Sequence, residues 1–408
     1  MAIIAYSMPS LYVVDQCNLS GPWGTATKSE PFGRYTPTRP RKRDMAVIGV
    51  PRETAADERR VALVPKVVER LRAAGHDLVV EAGAGDQALI RDEDYGQAGA
   101  AIGDPWACDV VVKVNPPTGV EIGRMKPGSR LIGFLAPRTR PEIGEQLQRA
   151  GVHGFAMEAV PRISRAQTMD ALSSQANVAG YKAVLCAAQY CTRFFPMMTT
   201  AAGTVKPATV LVLGVGVAGL QALATAKRLG ARTTGFDVRP EVAEQVQSLG
   251  ATWLELGVTA AGEGGYARAL TLAEQAEQQR RLTEAIGGFD AVITTALVPG
   301  RPAPQLVTAD AVRLMRAGSV VVDLAGEAGG NCELTVPGKA VIRHGVTVTA
   351  PLNLPATMPE HASELYARNV AALLEHMLSG DGGALDLSDE IVGACCVTKT
   401  SDELTETR

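Results

Sequence analysis

The fifteen residues PRISRAQTMDALSSQ, at positions 161–175, concentrate hydrogen-bonding side chains between an apolar stretch and a helical stretch. Two arginines, two glutamines, three serines, one threonine and one aspartate occur there. Such a strip could bind a polar ring and orient it, which is what a reaction that depends on close approach requires. The alternative interpretation is structural, because Thr168 or Asp170 could cap the helix that follows.

A second segment, VLVLGVGVAG, carries Gly214, Gly216 and Gly219 in the pattern GxGxxG, after an apolar strand and at the start of a helix. Asp237 ends the next strand, eighteen residues after Gly219. This context predicts a dinucleotide site, in which the helix start meets the pyrophosphate and the carboxylate accepts from the adenosine ribose. The carboxylate favours NAD(H) over NADP(H), although Arg239 could pair with a 2′-phosphate.

Two further segments follow apolar runs and are rich in glycine or proline, TTALVPG at 294–300 and DLAGEAGGN at 323–331. In parallel sheets, ligands lie outside the carboxyl ends of the strands. We therefore expect Thr295, Ala296 and Leu297 to approach the nicotinamide ribose, unless these segments are ordinary connecting loops.

The segment AAGEGGYAR, at 260–268, is a glycine-rich stretch with one aromatic residue ahead of a charged helix. It resembles a mobile lid in which Gly265 and Tyr266 could cover a bound nucleotide. A plain surface loop is the other interpretation.

An alcohol or amino-acid dehydrogenase needs a side chain placed to donate or accept a proton at the substrate. None of the histidines lies in a sequence context that indicates such a role. The histidines are His76, His153, His344, His361 and His376. Arg60 and Lys113 could hold a carboxylate substrate or could be surface charges. Direct hydride transfer between two nicotinamides moves no proton, so a polar strip without a titrating group suits that reaction.

Composition narrows the functional classes. The 408 residues carry a net charge of −3 and only 4% aromatic residues, which argues against nucleic-acid binding. The seven cysteines include no CxxC pair, so we expect reduced thiols in the cytoplasm and no metal site. No apolar stretch approaches the roughly 20 residues of a membrane span.

The strands and helices that must position these residues alternate along the chain from Met45 onward, with an irregular break at FPMMTTAAGTVKP. This alternation predicts an α/β protein with two Rossmann-like, doubly wound domains, mostly parallel sheets and long joining helices. We expect residues 1–44 to be a disordered extension. The first domain should combine 45–165 with 358–408, and the NAD(H)-binding domain with its linking helix should span 166–357.

Seven segments resemble the NAD(H)-binding soluble component (the alpha-1 subunit) of proton-translocating NAD(P) transhydrogenase, in the alanine dehydrogenase/transhydrogenase family. They are RETAADERRVALVP, EAGAGDQA, PRISRAQTMDALSSQANVAGYKA, FPMMTTAAGTV, GVGVAGLQALATAKRLGA, ITTALVPGRPAP and DLAGEAGGNCELT. The similarity runs from Met45 to about residue 400, and residues 1–44 have no counterpart. The strip at 161–175 is its most specific segment.

The resemblance implies a set of roles. The residues expected to act in the reaction are Arg162, Gln167, Asp170 and Tyr266. The residues expected to bind NAD(H) are Arg162, Ile163, Ser164, Arg165, Gln167, Ser173, Gly214, Gly216, Val217, Gly219, Asp237, Val238, Arg239, Gly265, Tyr266, Thr295, Ala296 and Leu297. The resemblance also implies a homodimer, an NADP(H)-binding beta subunit and a membrane proton-channel subunit. The chain would then be cytoplasmic and peripheral at the inner face of the plasma membrane.

Alanine dehydrogenase, a close relative, shares the Arg60 and Lys113 positions. Its pattern has a catalytic histidine where this chain has Ala136, and an aspartate where this chain has Glu327. These differences favour the transhydrogenase component over amino-acid deamination. A third possibility, a catalytically idle NAD-binding regulatory subunit, is left open by the sequence.

Overall fold

The computed structural model describes residues 45–257, 271–297, 302–379 and 385–398. The expected N-terminal extension and the segment with Gly265 and Tyr266 lie outside these ranges. Strands and helices are numbered below in chain order.

The first sheet is built from short apolar strands in the order β3-β2-β1-β4-β5-β6, paired in parallel. The strands are β1 (Val47–Val50), β2 (Asp77–Val80), β3 (Ala101–Ile102), β4 (Val110–Val112), β5 (Arg130–Gly133) and β6 (His153–Ala156). The helices between them are α1 (Pro65–Ala73), α2 (Asp92–Gln97), α3 (Gly119–Arg124) and α4 (Pro141–Arg149). Every residue of β4 is buried, as expected for a strand covered on both faces.

A long helix, α5 (Ala171–Tyr190), leads from the first sheet to a small antiparallel hairpin. The hairpin pairs β7 (Met198–Thr200) with β8 (Gly203–Val205), and the side chains of both strands are exposed. The sequence pattern predicts a break between the two α/β units here, and the hairpin is separate from both large sheets. Its strands bury no face, so the sequence shows no apolar alternation that would predict them.

The second sheet has the order β11-β10-β9-β12-β13-β15-β14. Its strands are β9 (Thr209–Leu213), β10 (Arg232–Phe236), β11 (Thr252–Trp253), β12 (Ala291–Thr294), β13 (Val320–Asp323), β14 (Ala340–Arg343) and β15 (Val346–Thr349). The accompanying helices are α6 (Val217–Arg228), α7 (Ala243–Ser248), α8 (Leu272–Ile286) and α9 (Ala309–Leu314). The β14–β15 pair is antiparallel, and the other pairs are parallel. Two doubly wound sheets of this kind confirm the predicted fold class.

The chain then enters a second long helix, α10 (Pro359–Met377), and after a gap the short helix α11 (Glu390–Cys395). Buried side chains of α10 and α11 belong to the same apolar core as β1, β2 and β4. The packing agrees with the expected return of the chain to the first sheet, while the domain bounds stay a prediction. Within the described ranges, no helix is both long and apolar enough to cross a membrane.

Candidate functional site

The turn between β9 and α6 brings backbone groups together at the carboxyl edge of the second sheet. Gly214 has φ +89°, a left-handed conformation that disfavours other residues. Its N–H donates to the Phe236 carbonyl at 2.9 Å, and its carbonyl accepts from Thr295 Oγ1 at 2.8 Å. A Cβ added at Gly219 would lie 2.0 Å from that same carbonyl oxygen. The glycine pattern therefore holds three neighbouring strand ends in contact.

The start of α6 is open toward the outside of this turn. Gly216 is the N-cap residue, and a Cβ there would meet no atom within 4 Å. The following Val217 is 41% exposed. Because the first N–H groups of a helix have no partner within the helix and carry positive partial charge, this open position suits a pyrophosphate group. The turn thus fits the predicted dinucleotide.

Asp237 follows β10 and faces the same turn. Its carboxylate accepts from Val215 N at 2.7 Å, and from Arg239 N and Nε at 3.0 Å each. Burial raises the pKa of Asp237, but the hydrogen bonds from Arg239 and Val215 outweigh it, so the net direction is downward. The side chain is therefore an anion at neutral pH, as an acceptor for ribose hydroxyls must be. The adjacent Val238 is 70% exposed and can contact a ligand.

Replacing Asp237 with asparagine should weaken NADH binding by about tenfold, since a charge-assisted hydrogen bond contributes about 1.5 kcal/mol. The ratio of NADH affinity to NADPH affinity should fall as well. The variant no longer repels the 2′-phosphate of NADPH, and Arg239, without its anionic partner, can bind that phosphate. Calorimetric titration of both nucleotides measures this. An unchanged preference would show that Asp237 does not select the coenzyme.

The loops after β12 and β13 complete this edge. Thr295 and Ala296 are half-buried, whereas Leu297 is 54% exposed. Asn331, which is fully buried, accepts from Ala296 N at 3.1 Å and donates to the Ala296 carbonyl at 2.8 Å. Buried Asp323 similarly accepts from Thr294 Oγ1 and Ala325 N at 2.9 Å each. Both residues lie in DLAGEAGGN, yet sequence reasoning did not identify them as supports.

The polar strip forms a 3₁₀ helix, Ser164–Met169, immediately before α5. Asp170 caps α5, accepting from Ser173 N at 2.9 Å and from Ser173 Oγ at 2.6 Å. The capping interpretation is thus correct for Asp170. It does not account for Arg162, Ser164 and Gln167, whose side chains are exposed. These three side chains are accessible to a ligand.

Two residues of the strip, Ile163 and Arg165, contact other parts of the protein. Ile163 is half-buried and packs against the first core. Arg165 Nη2 lies 3.0 Å from Glu390 Oε2, and Arg165 Nη1 lies 3.7 Å from Asp389 Oδ2. In this arrangement Arg165 ties the strip to the start of α11, and its expected contact with nucleotide stays a prediction.

The helix that follows the strip packs along α6. Asn177 Nδ2 of α5 donates to Gln221 Oε1 of α6 at 3.2 Å, and a Cβ added at Gly180 of α5 would lie 2.1 Å from the Ala218 carbonyl oxygen. The first half of α5 therefore lies against the first turns of α6. That the strip and the glycine turn meet one nucleotide stays a prediction.

Arg60 and Lys113, the two cations that could hold a carboxylate substrate, are each paired with carboxylates of the protein. Lys113 is 1% exposed, with Nζ 3.2 Å from Glu121 Oε1 and 3.6 Å from Glu53 Oε2. Arg60 donates from Nε and Nη2 to the two oxygens of Glu58 at 2.8 and 2.6 Å. Burial of this kind shows that neither is a surface charge, and both cations already have carboxylate partners.

The histidines are spread over the fold. His76 precedes β2, His153 begins β6, and His344 lies in the turn before β15. These three lie at the amino ends of strands, His76 and His153 in the first sheet and His344 in the second sheet, whose carboxyl edge carries the nucleotide turn. His361 and His376 lie on α10.

Ala136 occupies the loop after β5, at the carboxyl edge of the first sheet. It adopts φ +53°, and its N–H donates to Glu158 Oε1. Burial raises the pKa of Glu158. A methyl side chain cannot exchange a proton with a substrate. In the part of the chain that is described, no group of three or more His, Cys, Asp or Glu side chains could hold a metal ion.

Known proteins resemble both halves of the chain. Residues 49–179 match the alanine dehydrogenase/PNT N-terminal domain, and residues 183–406 match the alanine dehydrogenase/PNT C-terminal domain. An NAD(P) transhydrogenase alpha-subunit chain of Rhodospirillum rubrum is 45% identical over 368 residues, which cover 86% of this chain and 96% of that protein.

Solved structures of the same two kinds of protein are similar to this chain. A transhydrogenase from Sinorhizobium meliloti is 45% identical, with a TM-score of 0.78 over 86% of this chain and 97% of that chain. An L-alanine dehydrogenase is 29% identical, with a TM-score of 0.71 over 86% of this chain and 94% of that chain.

Proposed function

The chain belongs to the alanine dehydrogenase/PNT family, and from this membership we propose that it passes hydride directly between NAD(H) at its own site and NADP(H) on a partner subunit. It is a component of NAD(P) transhydrogenase, an oxidoreductase of the alpha-subunit type. The family is of the nucleotide-binding dehydrogenase type.

The observation that supports the proposal is the exposed polar strip ahead of α5, the helix that packs against the first turns of α6. Arg162 and Gln167 are exposed in the strip, and in this proposal they meet the nicotinamide where a nucleotide on another subunit approaches. Ala136 stands where the related dehydrogenases have a proton-transferring histidine. Bound NAD(H) supplies or accepts the hydride, and this chain's residues provide orientation and close approach, which suffice when no proton moves.

Each region of the site has a distinct task in this proposal. Arg162 and Gln167 orient the nicotinamide toward the partner, and Asp170 and Ser173 help to hold that nicotinamide. Tyr266, outside the described residues, closes over the nucleotide together with Gly265. The remaining contacts come from Ile163, Ser164, Arg165, Gly214, Gly216, Val217, Gly219, Asp237, Val238, Arg239, Thr295, Ala296 and Leu297.

The existence of partner subunits is supported by the relatives, which are named as alpha subunits. We propose a homodimer that binds an NADP(H)-binding beta subunit and a membrane proton-channel subunit. Hydride transfer would be coupled to proton movement through the latter. The chain would then lie in the cytoplasm, peripheral to the inner face of the plasma membrane.

An alanine dehydrogenase activity is disfavoured by the carboxylates around the two candidate substrate-binding cations. Glu58 already binds Arg60 through both oxygens, and Glu121 and Glu53 lie beside Lys113. A substrate carboxylate would have to displace them. The missing histidine at residue 136 removes the proton-transfer group as well.

Arg162→Ala and Gln167→Ala should each slow transfer from NADPH to an NAD⁺ analogue by about tenfold to a hundredfold, because misplacing a reacting group by about 1 Å has effects of this size. The assay mixes the chain with a separately produced NADP(H)-binding subunit. Arg149→Ala, which removes an exposed arginine of α4 paired with Glu145, is the control. Unchanged rates in both site variants would contradict the assignment of the strip.

A further inference from the structure

The buried amide of Asn369 joins the polar strip to the helix that returns to the first sheet. Asn369 of α10 is 8% exposed. Its Nδ2 donates to the Thr168 carbonyl at 2.8 Å, and its Oδ1 accepts from Ser174 Oγ at 2.7 Å. The carboxamide therefore spans the junction between the 3₁₀ helix and α5.

The bonded carbonyl belongs to the residue next to Gln167. Fixing the Thr168 peptide fixes the orientation of the last turn of the 3₁₀ helix, from which the exposed Gln167 projects. The neighbouring Gln175 secures α5 to the same helix, since its Nε2 donates to the Ala362 carbonyl at 3.1 Å. Removing the Asn369 donor would leave the Thr168 carbonyl without this part-buried bond, and the last turn of the 3₁₀ helix would be held less firmly.

We propose that Asn369 is a positioning residue for hydride transfer, acting through the Thr168 carbonyl on Gln167. This inference rests on the proposed function, because it needs the strip to orient the nicotinamide. Asn369 touches the strip and α5, whereas the adenosine half of the dinucleotide would be held by the glycine turn and Asp237. Its loss should therefore impair transfer much more than nucleotide affinity.

The test compares Asn369→Leu, which keeps the volume but removes both hydrogen bonds, with Arg368→Leu at the exposed neighbouring position of α10. We expect Asn369→Leu to slow single-turnover transfer from NADPH on the partner subunit to an NAD⁺ analogue by at least about tenfold. Its Kd for NADH, measured by calorimetry on this chain alone, should change less than about threefold. Arg368→Leu should leave both quantities unchanged.

Ser174→Ala supplies a milder change, because it removes one of the two bonds that orient the carboxamide. It should slow transfer by about threefold at unchanged NADH affinity, and it decides the question if Asn369→Leu does not fold. Thermal unfolding is recorded for every variant. A rate that falls only in proportion to lost NADH affinity or lost folded protein would indicate a general structural role and overturn the proposal.

The two proposals fail in different ways. If the unmodified chain transfers no hydride with the partner subunit, the proposed function fails. If transfer occurs and Gln167→Ala slows it, while Asn369→Leu and Ser174→Ala leave the rate unchanged, only the positioning role of Asn369 is overturned.

Discussion

Replacing Gly219 with alanine should weaken NAD(H) binding by roughly a hundredfold. The added Cβ would lie 2.0 Å from the Gly214 carbonyl oxygen and 3.4 Å from Val212 Cγ1. Since such an overlap must be relieved, α6 would shift away from β9 and carry its first N–H groups with it. Losing the hydrogen bonds from these N–H groups to the charged pyrophosphate costs up to about 3 kcal/mol, which corresponds to about two orders of magnitude in Kd.

Two matched glycine variants separate the causes. Gly123→Ala lies in α3, where the Cβ meets no atom within 4 Å, and should leave NADH binding unchanged. Gly216→Ala also meets no protein atom, so it should weaken binding by crowding the pyrophosphate while leaving thermal stability intact. Calorimetric Kd values together with unfolding curves distinguish the three cases. Normal NADH binding by Gly219→Ala would contradict the location of the site.

Replacing Glu58 with glutamine should destabilise the protein by about 3 kcal/mol at pH 7. The Glu58 side chain is fully buried and binds Arg60 through both oxygens. It also accepts from Asn115 Nδ2 at 2.9 Å and from Asn353 Nδ2 at 3.1 Å, across the two sheets. Breaking a buried ion pair from one side leaves an uncompensated charge, here that of Arg60.

The stability difference between the natural chain and Glu58→Gln should also depend on pH. Burial raises the pKa of Glu58, but the Arg60 guanidinium lowers it more strongly, to about 2. The folded-state pKa is thus below the unfolded value, so the stabilisation is present above about pH 4.5 and is lost as pH falls toward 2. The difference between the natural chain and Glu58→Gln in urea unfolding should narrow below pH 4.5 and fall by about half near pH 3.

An exposed ion pair provides the comparison. Arg70 and Glu375 are 50% and 31% exposed, so Glu375→Gln should cost less than about 1 kcal/mol. A Glu58→Gln effect as small as this would show that the Glu58–Arg60 pair contributes little to stability.

The turn between β9 and α6 could be predicted because the sequence features that indicate it lie close together along the chain. The strand before Gly214, the helix after it and Asp237 at the next strand end all fall within one continuous stretch, and each has the spacing that the fold requires. The parallel sheets followed from short apolar runs that alternate with helices. The hairpin of β7 and β8 gave no such signal, because it buries no side chain.

The buried cluster of charges could not be predicted from the sequence. Glu58, Arg60 and Lys113 resemble surface residues when read along the chain. Their burial depends on partners far away in sequence, such as Asn353, which bonds Arg60 Nη2 at 3.2 Å across 293 positions. The same holds for Asn369 and the Thr168 carbonyl, which are 201 positions apart.

The central claim is that hydride passes directly from one nicotinamide to the other without a proton-transferring residue of this chain. The most direct measurement supplies the partner subunit with NADPH carrying deuterium at the transferred position and this chain with an NAD⁺ analogue, with pyruvate, ammonia and NADH given to the chain alone in parallel. We expect the reduced analogue to contain the full deuterium label, no label to enter water, and the parallel mixture to consume no NADH. Loss of the label to solvent, or oxidation of NADH by pyruvate and ammonia, would contradict it.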